Sequence, residues 1–304
     1  MSGIQRSILV FGATGQQGGS VAYALRQKGW RVRALVRDPS SLRAESLSAS
    51  GVELIQGDFN DMASIRRAMQ SIYGVFSVQP SSPGGSVSDE DEIRFGSAVA
   101  DVAVEHEIEH FVYSSGGAVG DKPTGMGHFD SKALIEAHIR TLPVTATIIR
   151  PVTFMEMLLT PGFGLDEGRF NFFMRPDQAM QVLAVEDVGK YVAAIFADKF
   201  KFGGRTLDIA GDAITGRDLA AKFTQMAGSP ISYTRFSEEL LGHNPFLRKL
   251  TELMDNGVLK GNADLDSCRI IVPNLQSFGD WLAGTGLEAF NAALGASGAR
   301  AYST

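Results

Sequence analysis

Ser7-Ile8-Leu9-Val10-Phe11-Gly12-Ala13-Thr14-Gly15-Gln16-Gln17-Gly18 is the stretch that decides the fold. It begins as a short apolar run of strand type, breaks at three spaced glycines, and passes into helical periodicity over residues 17–28. Each glycine answers a steric demand. Gly12 permits a tight turn off the strand, Gly15 lets backbone approach a pyrophosphate with no Cβ in the way, and Gly18 lets the helix lie close on the sheet. The helix start then offers unpaired amides and a positive dipole end to phosphate. Thr14, Gln16 and Gln17 share this loop and first turn and join the three glycines as candidate binding residues. A glycine-rich turn without a ligand does not require strand before, helix after and a βαβ unit around it; all three are present here.

Outward from this loop, apolar runs at residues 8–11, 32–36, 53–56, 75–78, 111–114 and 144–149 alternate with helical periodicity at 17–28, 41–49, 62–70, 89–107 and 129–140. Strands apolar on both faces, separated by helices, mean a parallel sheet, and right-handed crossovers make it doubly wound. The punctuation agrees: Gly29 follows the first helix, Asn60-Asp61 opens the third and Pro143 stops the fifth. Past Pro151 the rhythm breaks. Residues 185–197 read as a helix and 206–210 as a strand. Thr215 and Asp218 form a capping-box pattern opening a helix to about Met226, and 231–235 reads as a strand. Residues 237–256 are helical with an interruption at 242–245, and 277–283 form a short helix. The expected fold is α/β, a Rossmann-type doubly wound parallel sheet (residues 1–154) with a smaller mixed α/β C-terminal lobe (155–304) that completes the cleft. The Pro-Ser-Ser-Pro-Gly-Gly-Ser-Val-Ser tract at 80–88 is the one long flexible loop of the first half, and the tail from Gly295 is polar enough to fray.

Bulk properties narrow the function. The 304 residues are 44% hydrophobic and 20% charged, enough apolar material for a large core. A net charge of −6 gives no electrostatic footprint for nucleic acid or for an anionic membrane surface. The one cysteine, Cys268, excludes an intrachain disulfide and a thiolate metal cage, which suits a cytoplasmic setting. The first apolar run is too short for a signal-peptide core, and no segment approaches the ~20 residues of a membrane span. His106, His110, His138 and His243 lack metal-ligand spacing, so no metal is expected.

The second strand ends in Arg37-Asp38. An arginine there favours the 2′-phosphate of NADP(H), whereas a carboxylate accepting from ribose favours NAD(H); Asp38 leaves the second possibility open. Asp58 is placed to accept from an adenine amino group with Phe59 beside the ring, or else the two are a turn aspartate and a core phenylalanine. Gln79 and Pro80 end the fourth strand at the carboxyl edge, where ligands collect.

The Gly12-to-Gly18 loop, Arg37, Gly57-Asp58, His128-Phe129-Asp130-Ser131-Lys132 and the tract Arg150-Pro151-Val152-Thr153-Phe154-Met155-Glu156 together resemble the short-chain dehydrogenase/reductase superfamily, and within it the atypical NmrA-like family. The resemblance implies cofactor contacts at Lys132, Pro151 and Phe154. It also exposes a departure. Active superfamily members use Tyr-x-x-x-Lys, with the tyrosine moving a proton and the lysine holding the nicotinamide ribose. Lys132 is in place, but the tyrosine position holds His128, which exchanges protons near neutrality. The family's substrate-steadying Ser or Thr falls at Gly117, beside Ser114 and Ser115. Two roles follow from the resemblance. One is a dinucleotide or redox sensor that passes its state to a regulatory protein partner without the standard catalytic pair. The other is an NADPH-dependent oxidoreductase of quinones or small carbonyl or aromatic substrates, with Phe154, Met157 and Phe170 to Phe173 as its apolar wall.

Overall fold

The computed structural model describes residues 6–84 and 87–295. The loop expected at 80–88 therefore lies partly outside the described residues, and the tail beyond Gly295 wholly so. Along the chain, β1 (Ser7–Val10), α1 (Gln16–Gln27), β2 (Arg31–Val36), α2 (Leu42–Ala49), β3 (Glu53–Gln56) and α3 (Met62–Met69) alternate as the periodicity demands. They are followed by β4 (Gly74–Ser77), α4 (Asp89–Glu105), β5 (His110–Ser114), α5 (Gly127–Thr141) and β6 (Ala146–Pro151). The chain then forms β7 (Thr153–Phe154), β8 (Arg169–Phe172) and β9 (Ala179–Leu183), and continues through α6 (Val185–Ala197), α7 (Lys199–Phe202) and β10 (Thr206–Ile209). The remainder is β11 (Asp212–Thr215), α8 (Gly216–Ala227), β12 (Ser232–Arg235) and five helices: α9 (Glu238–His243), α10 (Pro245–Asp255), α11 (Leu265–Ile271), α12 (Phe278–Ala283) and α13 (Leu287–Leu294).

Two compact units result. The first comprises Met1–Pro151 and Val185–Leu207, the second Val152–Ala184 and Asp208–Thr304. This division differs from a single cut at residue 154, and the cause is α6. Its start is tied to α1 by Ser20, whose hydroxyl donates to the Glu186 carbonyl (3.0 Å) and accepts from the Gly189 amide (3.1 Å). A Cβ at Gly189 would collide with the Ser20 backbone, so the two helices lie in direct backbone contact.

The seven-stranded sheet has the order β10-β6-β5-β4-β1-β2-β3, and β1 through β6 pair in parallel. This bears out the doubly wound expectation. The order reverses between β1 and β4, so the loops leaving those strands flank the switch point at the carboxyl edge. Ile8, Leu9, Val10 and Phe11 are wholly buried, and the core continues through Ile65, Val75, Val99, Phe111, Ile135 and Ile148. Local caps explain the helix starts: Asp61 accepts from the Ala63 and Ser64 amides, and Ser88 accepts from Asp91.

The second unit carries a three-stranded sheet, β11-β9-β7, and a two-stranded pair, β12-β8. Its core is aromatic, built on Phe170, Phe172, Phe223, Phe278, Trp281 and Phe290. Phe170, Phe172 and Phe173 are core residues rather than a ligand wall, at 0%, 4% and 8% exposed, while Asn171 between them is half-buried. The capping box forms as expected, with Thr215 and Asp218 exchanging hydrogen bonds at the start of α8. Among the described residues no helix is long and apolar enough to cross a membrane.

Candidate functional site

The glycine loop leaves β1 with Gly12 at φ +67°, a left-handed conformation that disfavours a side chain. The Gly15 amide donates to the Gly12 carbonyl at 2.8 Å and closes the turn. A Cβ on Gly12 would sit 2.9 Å from Val78 Cγ1. One on Gly18 would fall onto the Gly12 carbonyl and lie 2.7 Å from the Ala13 nitrogen, so α1 starts in backbone contact with the turn. The N-cap is Gly15, which has no side chain to cap the helix. The first-turn amides are thereby left for water or an anion. Gln16 is exposed; Thr14 gives its carbonyl to Arg43 at 3.1 Å; Gln17 accepts from the Ser114 hydroxyl at 2.7 Å.

At the tip of β2, Arg37 is exposed, and Arg43 from α2 reaches back to the glycine loop. Asp38 is committed elsewhere. Its Oδ1 accepts the Ser40 hydroxyl (2.6 Å) and amide (2.9 Å), and these bonds hold the carboxyl below its usual range. Asp58 likewise accepts the Asn60 amide at 2.7 Å, and Phe59 stacks between Phe11 (5.6 Å) and Phe95 (5.2 Å). Phe59 is thus part of an aromatic column of the first core. Arg43 has no counterpart in the sequence reading, because nothing in its spacing announces the reach from α2.

After β4, Gln79 is 8% exposed; its Nε2 donates to Ser77 Oγ at 2.8 Å, and its Oε1 is buried without a partner. Pro80 beside it is exposed. Lys132, one turn into α5, places its ammonium against three acceptors: Glu92 Oε1 at 2.5 Å, the His128 carbonyl at 3.0 Å and Ser81 Oγ at 3.1 Å. Glu92 is 1% exposed, and its second oxygen accepts from Ser131 (2.9 Å) and Ser81 (3.1 Å). Glu92 escaped the sequence reading because Asp89-Glu90-Asp91-Glu92 looks like an acidic helix start facing solvent. Only its spacing with buried Phe95, Gly96 and Val99 marks it as facing inward.

His128 packs against Phe129 with ring centroids 4.0 Å apart. Burial, then the Lys132 charge, lower its pKa, outweighing Asp89 and Asp130, so the imidazole is neutral at pH 7. Ser115 is turned away: its hydroxyl donates to Glu136 Oε1 at 2.5 Å. Burial pushes the Glu136 carboxyl up, but bonds from Arg150, Ser115 and Arg140 hold it below its usual value. Gly117 donates its amide to the Pro151 carbonyl at 2.8 Å, where β6 ends. Phe154 lies in the second unit, on β7, half-buried. The first unit thus brings together the glycine loop, Gln79, Lys132 and Pro151 along the carboxyl edge of one sheet. Among the described residues no cluster of side chains could hold a metal ion.

These features suit an extended ligand carrying phosphates and hydroxyls. The loop cradle tolerates no added Cβ at Gly18, two arginines flank the β2 tip, and the orphaned Gln79 oxygen calls for a donor.

A sequence model of the NmrA-like family matches residues 5–269. The NmrA-like family domain-containing oxidoreductase malD of Malbranchea aurantiaca is 32% identical over 259 residues, 76% of each chain. Among solved structures, NmrA, a negative transcriptional regulator, in complex with NADP superposes with a TM-score of 0.76 at 21% identity, covering 95% of this chain and 98% of NmrA. Its NAD complex gives 0.77 at 21% identity, covering 97% and 98%. An NADPH-dependent quinone oxidoreductase of Escherichia coli, complexed with NADPH, gives 0.77 at 21% identity, covering 92% and 99%.

Proposed function

The chain belongs to the NmrA-like family, and from that premise we propose that it is an NADP(H)-dependent oxidoreductase whose acceptor requires no proton from the protein, a quinone or a similarly electron-poor conjugated system. The observation that carries the reading is the set of groups around Lys132. His128 is neutral with its ring tilted against Phe129, Ser115 is held by Glu136, and the tyrosine of the superfamily pattern is missing. Among the described residues around Lys132 no tyrosine stands ready to protonate a simple carbonyl and the Ser115 hydroxyl is taken, whereas a quinone accepts hydride with little acid help. When bound, the dinucleotide supplies the hydride. The chain's own residues do the rest. The Gly12–Gly18 loop and the start of α1 take the pyrophosphate, Gln79 Oε1 accepts from a ribose hydroxyl or the carboxamide, and Lys132 donates to ribose hydroxyls.

NADP(H) is preferred over NAD(H) because Arg37 and Arg43 offer two cations near a 2′-phosphate, while Asp38, the competing ribose acceptor, is occupied by Ser40. A second reading, a dinucleotide-sensing regulator acting through a protein partner, draws on the same missing tyrosine and on the fully satisfied Lys132 ammonium.

NADPH absorbance followed with quinones and with simple aldehydes separates the two. The reductase reading expects quinone turnover, little aldehyde turnover, and loss of activity in Lys132→Ala. Tight NADPH binding with no turnover of any quinone would favour the regulator.

A further inference from the structure

A buried carboxylate is costly to keep in a core, and replacing a buried ion pair by apolar side chains is often neutral or stabilising. Glu92 therefore asks for a purpose beyond stability. It lies on the inward face of α4, 1% exposed, and both its oxygens are engaged: Oε1 with the Lys132 ammonium at 2.5 Å, Oε2 with the Ser131 and Ser81 hydroxyls at 2.9 and 3.1 Å. The Lys132 stem runs beside Gly116, the second residue after β5, where an added Cβ would stand 3.5 Å from Lys132 Cδ. Its amine reaches Ser81, just past the β4 tip. The ammonium is thus fixed at the carboxyl edge by a charge from one helix, a backbone carbonyl from its own, and one serine. The His128 carbonyl is on Lys132's own helix, one turn back. Of the three partners, Ser81 is the neutral side-chain oxygen whose place a ligand hydroxyl can take without stranding a charge.

We propose that Glu92 is the positioning residue for Lys132: it holds the ammonium aimed between β4 and β5, so that ribose hydroxyls of a nicotinamide dinucleotide replace the Ser81 oxygen while the ion pair stays intact. This rests on the reading of the first unit as an NADP(H) site. Binding then spends little on ordering a long, flexible lysine, because the order is built in before the ligand arrives.

The test is calorimetry of the full chain with two probes, NADPH and adenosine 2′,5′-bisphosphate, which lacks the nicotinamide half. Glu92→Gln is expected to weaken NADPH about tenfold and leave the bisphosphate within about twofold. Glu92→Asp, which keeps the charge, is expected to recover most of that loss. The double variant Glu92→Gln/Lys132→Ala is expected to bind NADPH no worse than Lys132→Ala, since two residues acting as one unit are not additive. Unchanged NADPH affinity in Glu92→Gln would overturn the proposal. So would parallel loss of both probes, the mark of a merely structural role, or additive losses in the double variant. A wild-type chain that binds neither probe would instead overturn the NADP(H) reading itself, before any variant is compared.

Discussion

Gln17, in the first turn of α1, accepts a 2.7 Å hydrogen bond from the Ser114 hydroxyl at the end of β5, across 97 residues of chain. The bond ties the start of α1 to a strand on the far side of β4 in the sheet order. Ser114 is 1% exposed, so Ser114→Ala leaves the amide oxygen of Gln17 facing a methyl group. The expected cost is about 1 kcal/mol of unfolding free energy, read from urea denaturation at constant m-value. A variant as stable as wild type would mean that water replaces the hydroxyl in full.

The proposed preference for NADP(H) rests on Arg37 and Arg43. Each is expected to make a charge-assisted hydrogen bond worth about 1.5–3 kcal/mol to a 2′-phosphate. Arg37→Ala and Arg43→Ala should each weaken NADPH by about tenfold or more and leave NADH within about threefold. Equal losses for the two dinucleotides would remove the NADP(H) preference.

Gly18→Ala tests the packing of the loop. The added methyl would meet the Gly12 carbonyl and the Ala13 nitrogen, which are backbone and cannot rotate aside. Overpacking of this kind costs about 1–3 kcal/mol. Thermal unfolding should shift down accordingly, whereas Gly29→Ala, where a Cβ meets nothing within 4 Å, should cost only the strain of φ +80°.

A buried histidine away from the site sets an acid limit on stability. His110 is wholly buried, with its Nε2 2.8 Å from Thr147 Oγ1. Thr147 gives its own proton to the Phe202 carbonyl at 2.8 Å, so it accepts from the imidazole, which is neutral. Burial, then the Lys199 charge, depress the imidazole from its ordinary 6.5 to about 4. Between these values the unfolded chain binds the proton and the folded chain does not. The contribution is therefore fully present above pH 6.5 and is lost as pH falls toward 4, an order of about 3 kcal/mol. Denaturant titrations across that window should show the slope in wild type and lose it in His110→Gln; an equal slope in both would place the acid sensitivity elsewhere.

Much of the first unit was legible because its central strands β1, β4 and β5 are buried along nearly their whole length and several of its helices begin or end on a residue with a local reason to be there. Asp61 caps α3 and Gly29, at φ +80°, follows α1, as composition alone suggests. The second unit was legible in helices α8, α9, α10 and α12 and in strand β12. β7, β8, β9 and β11 are two to five residues long, and each is stabilised by pairing rather than by local pattern. At the site, the glycines could be read because their demand is steric and local. Glu92 and Arg43 could not, because each earns its place through partners 40 and 29 residues away. Asp38 illustrates the limit from the other side: its sequence position permits a ribose contact, and only the Ser40 bonds show where its charge is spent.

The central claim is that backbone amides around Gly12–Gly18 and the start of α1 receive the pyrophosphate of a nicotinamide dinucleotide. Isothermal titration of the folded chain with NADPH, and separately with NADH, tests it most directly. The account predicts saturable binding of one NADPH per chain, tighter than NADH. A cooperatively folded chain that takes up neither would contradict it.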